Sequence, residues 1–208
     1  MIASQTTECS CKHIVSVSLG SSERNAKSTL QLKGQTFIIE RLGTDGNLQK
    51  ARQLLEELDG RVDALGLGGT DLYVYAGGRR YTFRESAKLI ENVKNTPVLD
   101  GSGLKNSLER ILINRLAADK IIDFQGKKVL MVCGVDRFGM AAALVANGAD
   151  VTFGDLIFGL NWDHPIKSLQ TLDSFAKLLA PLLTKLPVRW FYPMGAKQSE
   201  RKPQHQGY

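Results

Sequence analysis

Apolar residues recur along the 208-residue chain with two spacings, every second position in some segments and every third or fourth in others. The first spacing is typical of strands and the second of helices. The first half contains four strand-like runs, HIVSVSL, STLQL, TFIIERLG and VDALGLGG. It also contains a helix predicted at residues 48–58, which Asn47 caps and Gly60 ends. STLQL with TFIIERLG predicts one hairpin, and LYVY with RRYTF around Gly77 and Gly78 predicts another.

The pattern changes near residue 121. Before that point, LKNSLERILINRLA predicts one long amphipathic helix. After it, KKVLMVCG predicts a continuous apolar strand, of the kind that a parallel sheet covers on both faces. FGMAAALVANGA then predicts a helix, DVTFGD a second strand, SLQTLDSFAKLLAPLL a helix with Pro181 near its end, and VRWFYPMG a third strand.

This alternation predicts two domains of different construction. The predicted fold class is α/β, with an N-terminal α/β domain that contains hairpins at residues 13–122 and a partial Rossmann-like doubly wound domain at residues 123–195. Residues 1–12 are predicted to be a loose N-terminal tail and residues 196–208 a polar tail without apolar periodicity.

Composition narrows the class of protein. With 43% hydrophobic and 23% charged residues, the chain is an ordinary globular sequence, and no apolar run reaches the length of a membrane span. The net charge of +6 favours anionic ligands, but the basic residues are dispersed and no nucleic-acid motif accompanies them. Three cysteines give no disulfide framework, and Cys9, Cys11 and His13 lack the fourth ligand of a structural zinc site. We therefore expect a cytoplasmic protein without membrane, nucleic acid or metal as partner.

The segment VLMVCGVDRFGMAAALVANGADVTFGD has the parts of a nucleotide-binding βαβ unit. Gly134 permits a tight turn near a phosphate, Gly139 permits close packing of helix and strand, and Asp155 can bind ribose hydroxyls. The helix N-terminus offers free N–H groups to an anion. Asp136 stands where the fingerprint has its middle glycine, and a degenerate turn that binds no dinucleotide is the alternative. The candidate cofactor-binding residues are Gly134, Asp136, Arg137, Phe138, Gly139 and Asp155.

Two loops of the first half present polar groups suited to a small anionic substrate. Ser16, Ser18 and Ser21 place hydroxyls at a strand end, where they can bind a carboxylate or phosphate. Thr70 and Asp71 follow the glycines of GLGGTD, a segment that can expose backbone N–H groups and one carboxylate. The alternatives are a strand with small polar residues on its solvent face and a glycine turn that leads into the hairpin.

The segment DGSGLK carries the predicted catalytic pair. It ends a strand and opens a helix, the place where parallel sheets usually bind ligands. Lys105 is the candidate acid or base, and Asp100 is the candidate partner that tunes it. A helix cap by Ser102 is the alternative.

Both halves of the chain resemble the quinate/shikimate 5-dehydrogenase family, in particular bacterial proteins named quinate 5-dehydrogenase. The resemblance rests on DFQGKKVLMVCG with FGMAAALVANGA in the second half and on SVSLGSS, IIERLGTDG, DALGLGGTDLYVYAGGRRY and TPVLDGSGLKNSLERIL in the first. The resemblance covers about residues 13–197 and implies relatives that are longer at the C-terminus. It implies an N-terminal domain for a cyclohexane carboxylate gripped by Ser or Thr hydroxyls, a Rossmann domain for NAD(P), and a Lys–Asp pair that handles the hydroxyl proton. The TDG of this chain precedes Lys105, the reverse of the family's order.

The sequence thus predicts an oxidoreductase that transfers hydride between NAD, rather than NADP, and a hydroxylated cyclohexane carboxylate. Asp155, with no arginine close behind it, disfavours a 2′-phosphate. The alternatives are a non-catalytic, degenerate Rossmann-like ligand-binding protein and a transferase that uses another nucleotide-like cofactor such as S-adenosylmethionine. Because a partial sheet exposes an apolar edge or face, we also expect a homodimer. Because the predicted Rossmann-like half lacks the second mononucleotide unit that supports the nicotinamide, we expect weak or absent activity from these 208 residues.

Overall fold

The computed structural model describes residues 11–76, 78–187 and 189, and these form a mixed α/β protein, which confirms the predicted class at that level. The elements in chain order are β1 (Cys11–Ser18), β2 (Ala26–Leu32), β3 (Gln35–Gly43), α1 (Leu48–Leu58), β4 (Ala64–Gly68), β5 (Tyr73–Ala76), β6 (Arg79–Thr82), α2 (Arg84–Leu89), β7 (Val98–Leu99), α3 (Ser102–Asn106), α4 (Leu108–Ala118), β8 (Lys128–Met131), α5 (Phe138–Ala146), β9 (Asp150–Phe153) and α6 (Leu169–Leu183). A single 3₁₀ turn at Ser22–Arg24 and a π-helical turn at Asp155–Gly159 complete them.

The described residues cluster into two compact units. The first unit contains residues 11–70 and 88–100, and the second contains residues 71–87 and 101–187. This division differs from the predicted boundary at residue 122. The reason lies in the packing of α4, whose residues Ile113, Leu116 and Ala117 lie against the hydrophobic core of the second unit.

A five-stranded sheet in the order β2-β3-β1-β4-β7 forms the first unit. β3, β1, β4 and β7 are parallel, and β2 is antiparallel to β3 as the predicted hairpin requires. Lys33 and Gly34 form its turn with positive φ angles of 50° and 77°, the geometry that matches the twist of a two-residue hairpin. The predicted helix 48–58 is confirmed as α1, and Asn47 Oδ1 accepts the N–H of Lys50 at 3.0 Å as its cap.

Two parallel strands joined by a helix organise the second unit. β8 and β9 pair in parallel across α5, and the antiparallel β5–β6 pair forms the second predicted hairpin. The hydrophobic core of this unit includes Phe153 and Leu172, both fully buried. The carboxyl end of β8 and the start of α5 meet in the turn 132–137, which carries three of the candidate cofactor residues, Gly134, Asp136 and Arg137.

Two expectations about local structure were wrong. β8 is not covered on both faces, because Leu130 is 60% exposed, and Val132 just beyond the strand is 56% exposed. The predicted long helix is broken at Ser107 into α3 and α4. The third predicted strand at 188–195, the tail 196–208 and residues 1–10 of the first tail lie outside the described residues, except for residue 189. Residues 11 and 12, assigned to the tail, belong to β1.

Within the described part of the chain, no helix is long and apolar enough to cross a membrane. The same part contains no group of three or more His, Cys, Asp or Glu side chains that could hold a metal ion.

Candidate functional site

Lys105 lies between two carboxylates in the second unit. Its ammonium donates to both oxygens of Asp71 at 2.9 Å and to Oδ1 of Asp136 at 2.7 Å. The side chains of Asp71, Lys105 and Asp136 are 9%, 22% and 31% exposed. A lysine ammonium has three protons, so these three bonds use its full donor capacity. We call these three residues the lysine cluster.

Three separate elements bring the lysine cluster together. Lys105 is on the short helix α3, Asp71 lies two residues before the start of the hairpin strand β5, and Asp136 is in the turn between β8 and α5. Ser102, at the start of α3, donates its hydroxyl to the carbonyl oxygen of Tyr73 at 3.4 Å, which links this helix to the hairpin. Ser102 does not cap α3, because the N-cap residue is Gly101, with a positive φ of 84°.

The charge state of Lys105 follows from this geometry. Burial lowers the pKa of the ammonium, but the hydrogen bonds and charges of Asp136 and Asp71 outweigh burial and raise the pKa above the ordinary lysine value. Lys105 is therefore protonated at neutral pH. It can donate a proton or stabilise a developing oxyanion, and it is a poor base in this arrangement.

A shallow pocket opens beside the lysine cluster and is partly open to solvent. Tyr73 and Tyr75 form an aromatic wall, with their rings edge to face and their centroids 5.5 Å apart. The remaining lining residues are Val74, Ser102, Lys105, Asn106, Val135, Asp136 and Phe138. The pocket therefore combines aromatic surface with one protonated amine and one partly exposed carboxylate.

The half-buried side chain of Asp155 holds the turn after β8. Its two carboxylate oxygens accept the backbone N–H groups of Gly134 and Val135, each at 2.9 Å. Gly134 is required for packing as well as for the turn, since a Cβ there would lie 2.6 Å from Phe153 Cδ1 and 2.8 Å from Leu172 Cδ2. The core residues Phe153 and Leu172 therefore exclude any side chain larger than hydrogen at position 134.

The first turn of α5 differs from the sequence prediction in two contacts. Gly139 is needed because its Cα approaches α3, and a Cβ would lie 2.8 Å from the carbonyl oxygen of Asn106. The close contact is thus between two helices rather than between helix and strand. Arg137 forms an ion pair with Glu109 of α4. Phe138 begins α5 and lines the pocket, and no side chain caps the N-terminus of this helix.

These contacts decide how well the turn fits NAD. The N–H groups of Gly134 and Val135 are already bonded to Asp155, so they are not open to a pyrophosphate. Each carboxylate oxygen of Asp155 keeps a lone pair that a ribose hydroxyl can use. The uncapped start of α5 offers N–H groups to one phosphate. Asp136, held by Lys105, has part of its charge offset. The residues thus fit an adenosine ribose and one phosphate at the helix end.

Cys133, in the same turn, is not a nucleophile at neutral pH. Although the residue as a whole is exposed, desolvation of its thiol and then the nearby charge of Asp155 raise its pKa to about 12. A thiol with that pKa carries almost no thiolate.

The candidate serines belong to the first unit and bind within the protein. Ser18 Oγ accepts the N–H of Gly20 at 3.1 Å and a guanidinium N–H of Arg41 at 3.0 Å. Ser21 Oγ accepts the N–H of Glu23 at 3.2 Å. Ser16 is half-buried on β1.

The predicted catalytic pair of Lys105 and Asp100 stays a prediction. Asp100 belongs to the first unit and Lys105 to the second, and the carboxylates bonded to Lys105 are those of Asp71 and Asp136. Thr70, at the end of the first unit's residues, is buried. The sequence had named Asp71 and Asp136 separately, for substrate and cofactor. Their shared contact with Lys105 spans 34 and 31 residues, and no local pattern signals it.

Comparisons with known proteins found matches to two family models. One, described as a domain of unknown function (DUF8753), matches residues 13–100. The other, described as a domain of unknown function (DUF8754), matches residues 103–208. No curated protein and no solved structure matched the chain. Since the second model covers more than half of the sequence, the chain belongs to the family defined by the domain of unknown function DUF8754.

Proposed function

We propose that this chain is an oxidoreductase of the quinate/shikimate 5-dehydrogenase type that uses the lysine cluster for proton transfer. The observation that carries the proposal is the protonated Lys105 beside the pocket, held by Asp71 and Asp136 next to the β8–α5 turn. Ligands of parallel α/β folds bind at such carboxyl ends of strands. A positioned amine that donates a proton to a carbonyl oxygen is a standard part of carbonyl reduction.

The exposed partner in the cluster identifies where a substrate would bind. All three donors of Lys105 are occupied, so a substrate oxygen must replace one of them. Asp136 accepts one hydrogen bond from Lys105 and is 31% exposed, whereas Asp71 accepts two and is 9% exposed. We therefore assign Asp136 as the group that a substrate hydroxyl or carbonyl displaces. Asp71 remains to orient the ammonium and to keep it charged.

The cofactor in this proposal is NAD, on a partial Rossmann-like unit formed by β8, α5 and β9. When bound, it supplies the hydride. In this proposal Asp155 accepts ribose hydroxyls and repels a 2′-phosphate, which favours NAD over NADP. Arg137 is paired with Glu109. The substrate class is a small hydroxylated carboxylate, whose hydroxyl meets Lys105. The predicted homodimer and cytoplasmic location stay predictions.

One observation favours the alternative of a non-catalytic ligand-binding protein. Asp155 itself occupies the N–H groups of Gly134 and Val135, which in a dinucleotide site face the cofactor. A turn completed in this way is stable without any ligand. The same geometry is also open to a cofactor with a ribose and no pyrophosphate, such as S-adenosylmethionine, which would make the protein a transferase.

Calorimetric titration separates these functions. The purified chain is titrated with NAD, NADP and S-adenosylmethionine. Reduction of the ketones that correspond to quinate and to shikimate, the direction in which protonated Lys105 donates a proton, is followed by the loss of NADH absorbance. The proposal expects binding of NAD that is tighter than that of NADP, and turnover that Lys105→Met abolishes. Binding of S-adenosylmethionine alone supports the transferase. Absence of binding by all three supports the degenerate protein and refutes our proposal.

A further inference from the structure

Helix α4 is apolar on two opposite sides. One side packs against the hydrophobic core of the second unit through Ile113 and Leu116. The other side carries Leu108, Ile111 and Leu112, which are 51–60% exposed. A helix at the surface of a globular protein normally has one apolar stripe, which faces the core, and a polar opposite face. The packing of the second unit therefore does not explain the second apolar side of α4.

The exposed apolar side continues from α4 into α3. It consists of Leu104, Leu108, Ile111 and Leu112, which we call the outer stripe. Their spacing of four, three and one positions places side chains along one side of a helix. Ser107, where α3 ends and α4 begins, keeps a right-handed helical backbone, and its N–H donates to the carbonyl oxygen four residues earlier at 3.1 Å. The break between the two helices therefore leaves the four side chains in one row.

The charged residues around the outer stripe leave it apolar. Lys105 and Glu109, which lie between its members in sequence, are engaged in ion pairs within the second unit. Arg110 follows Leu108 by two residues, about 200° around the helix, so it lies on a different side. Arg115, the next residue along the side of the stripe, pairs with an aspartate four residues further on. The stripe is thus an apolar strip that ends in a neutral ion pair, as the core and polar rim of an interface do.

The area of the outer stripe indicates what can cover it. Each of its four half-exposed side chains leaves on the order of 100 Å² accessible, so the stripe exposes about 400 Å² of apolar surface. The largest apolar patch on a monomer is about 300–600 Å² and is often functional. Two copies of the stripe would bury about 800 Å², and since about 65% of a homodimer interface is apolar, the whole interface would bury about 1,200 Å². That is the lower end of specific protein interfaces, so a second copy supplies enough area for a weak dimer.

The outer stripe is also complementary to itself. Leu104 and Leu112 lie four residues on either side of Leu108. A two-fold axis through Leu108 therefore pairs Leu104 of one copy with Leu112 of the other, in two helices that run antiparallel. Such a contact uses the same patch on both copies, which is the commonest symmetry of homo-oligomers. Apolar rows of this spacing pack side by side with helix axes about 8–10 Å apart.

We propose that the outer stripe is the interface of a homodimer, in which the α3–α4 segments of two copies pack against each other antiparallel. This surface is a helix face and differs from the incomplete sheet on which the expectation of a homodimer from the sequence rests. The dimer does not depend on the proposed oxidoreductase activity. Because the interface is at the lower end of the range of areas, its dissociation constant should be on the order of 10 μM.

Sedimentation velocity of the full chain at about 1–200 μM tests the proposal, because this range spans the expected dissociation constant. The wild type should shift from monomer to dimer. Ile111→Lys places a charge in the outer stripe twice per dimer and should weaken dimerisation about 100-fold, so that this variant stays mostly monomeric. Leu178→Lys is the matched control, because Leu178 is a 73% exposed leucine on α6 of the same unit, and it should dimerise like the wild type.

A second variant and a second measurement keep the test decisive. Leu108→Ser removes apolar surface from the middle of the stripe without adding charge, should weaken dimerisation about 10-fold, and decides the matter if Ile111→Lys does not fold. Hydroxyl-radical footprinting of the stripe should show protection that rises with protein concentration. A wild type that is monomeric at about 200 μM, or a dimer that both stripe variants leave intact, overturns the proposal. Protection that is independent of concentration also overturns it, because the stripe is then covered from within the chain.

Discussion

Replacing Lys105 with methionine removes one ammonium and leaves two carboxylates that had shared it. Three hydrogen bonds of 2.7–2.9 Å are lost, and Asp71, only 9% exposed, is left without this cation. A charged hydrogen bond contributes about 1.5–3 kcal/mol, and removing one partner of a fully buried pair costs about 3–5 kcal/mol. Because Lys105 and Asp136 are 22% and 31% exposed, solvent screens part of the loss. We expect the free energy of unfolding to fall by about 2–3 kcal/mol.

Urea denaturation at pH 7 measures this loss. The matched control is Arg115→Met, which breaks the ion pair between Arg115 and Asp119 in the same unit, where the side chains are 74% and 39% exposed. Exposed pairs of this kind contribute about 0.3–0.5 kcal/mol. A loss for Lys105→Met no larger than that of the control would refute the view that the cluster is a buried, charge-coupled site.

The pH dependence of the same variant gives an independent check. The net pKa shift of Lys105 is upward, so its stabilising effect is fully present below the ordinary lysine pKa of about 10.4. That effect is lost as the pH rises through the higher pKa of the folded state. The difference in stability between wild type and Lys105→Met should therefore be constant near pH 7 and should shrink above about pH 10.4. A difference that persists unchanged at higher pH would contradict the assigned ion pairs.

Two further predictions concern one residue in each unit, Gly134 in the second and Asp59 in the first. Gly134→Ala places a Cβ 2.6 Å from the buried ring of Phe153 and should lower the free energy of unfolding by about 1–3 kcal/mol. Gly103→Ala is the control, because nothing lies within 4 Å of a Cβ there, and it should be neutral or stabilising. Thermal denaturation measures both variants. Asp59, whose pKa is lowered to about 2 by the backbone N–H groups of residues 94–96, should stabilise the first unit above the ordinary aspartate pKa and lose that effect as the pH falls towards 2. Asp59→Asn should then differ from the wild type at pH 7 and resemble it near pH 2, as followed by circular dichroism.

Local features of the fold were predictable from the sequence because their causes are local. The apolar spacing of α1 and the cap by Asn47 lie within twelve residues, and the hairpin turn at Lys33 and Gly34 lies between two adjacent runs. The break between α3 and α4 was missed because its cause is distant. At the break, the carbonyl oxygen of Asn106 would lie 2.8 Å from a Cβ on Gly139 of α5, so the α3 and α5 backbones come close at a point that no local pattern signals.

The candidate site was predictable residue by residue but not as an arrangement. Lys105, Asp71 and Asp136 each stood out at the end or start of an element, yet Lys105 was paired with Asp100, its neighbour in sequence. Which carboxylates lie beside Lys105 depends on burial and on contacts between residues that are distant in sequence. The exposed Leu130 shows the same limit, because an apolar strand does not reveal whether its second face is covered.

Lys105→Arg separates the chemical role of the lysine cluster from its structural role. Arginine keeps the positive charge and can still bind Asp71 and Asp136, so stability at pH 7 should stay within about 1 kcal/mol of the wild type, well above that of Lys105→Met. A guanidinium does not give up its proton at neutral pH, so a general acid is lost, and turnover should fall by about 10²–10⁴-fold with cofactor affinity unchanged. If Lys105 only joins α3, the hairpin and the turn, the arginine variant will keep both its stability and its turnover. Only proton donation by Lys105 predicts a stable variant without turnover, which is why this substitution tests the proposed mechanism more directly than the methionine.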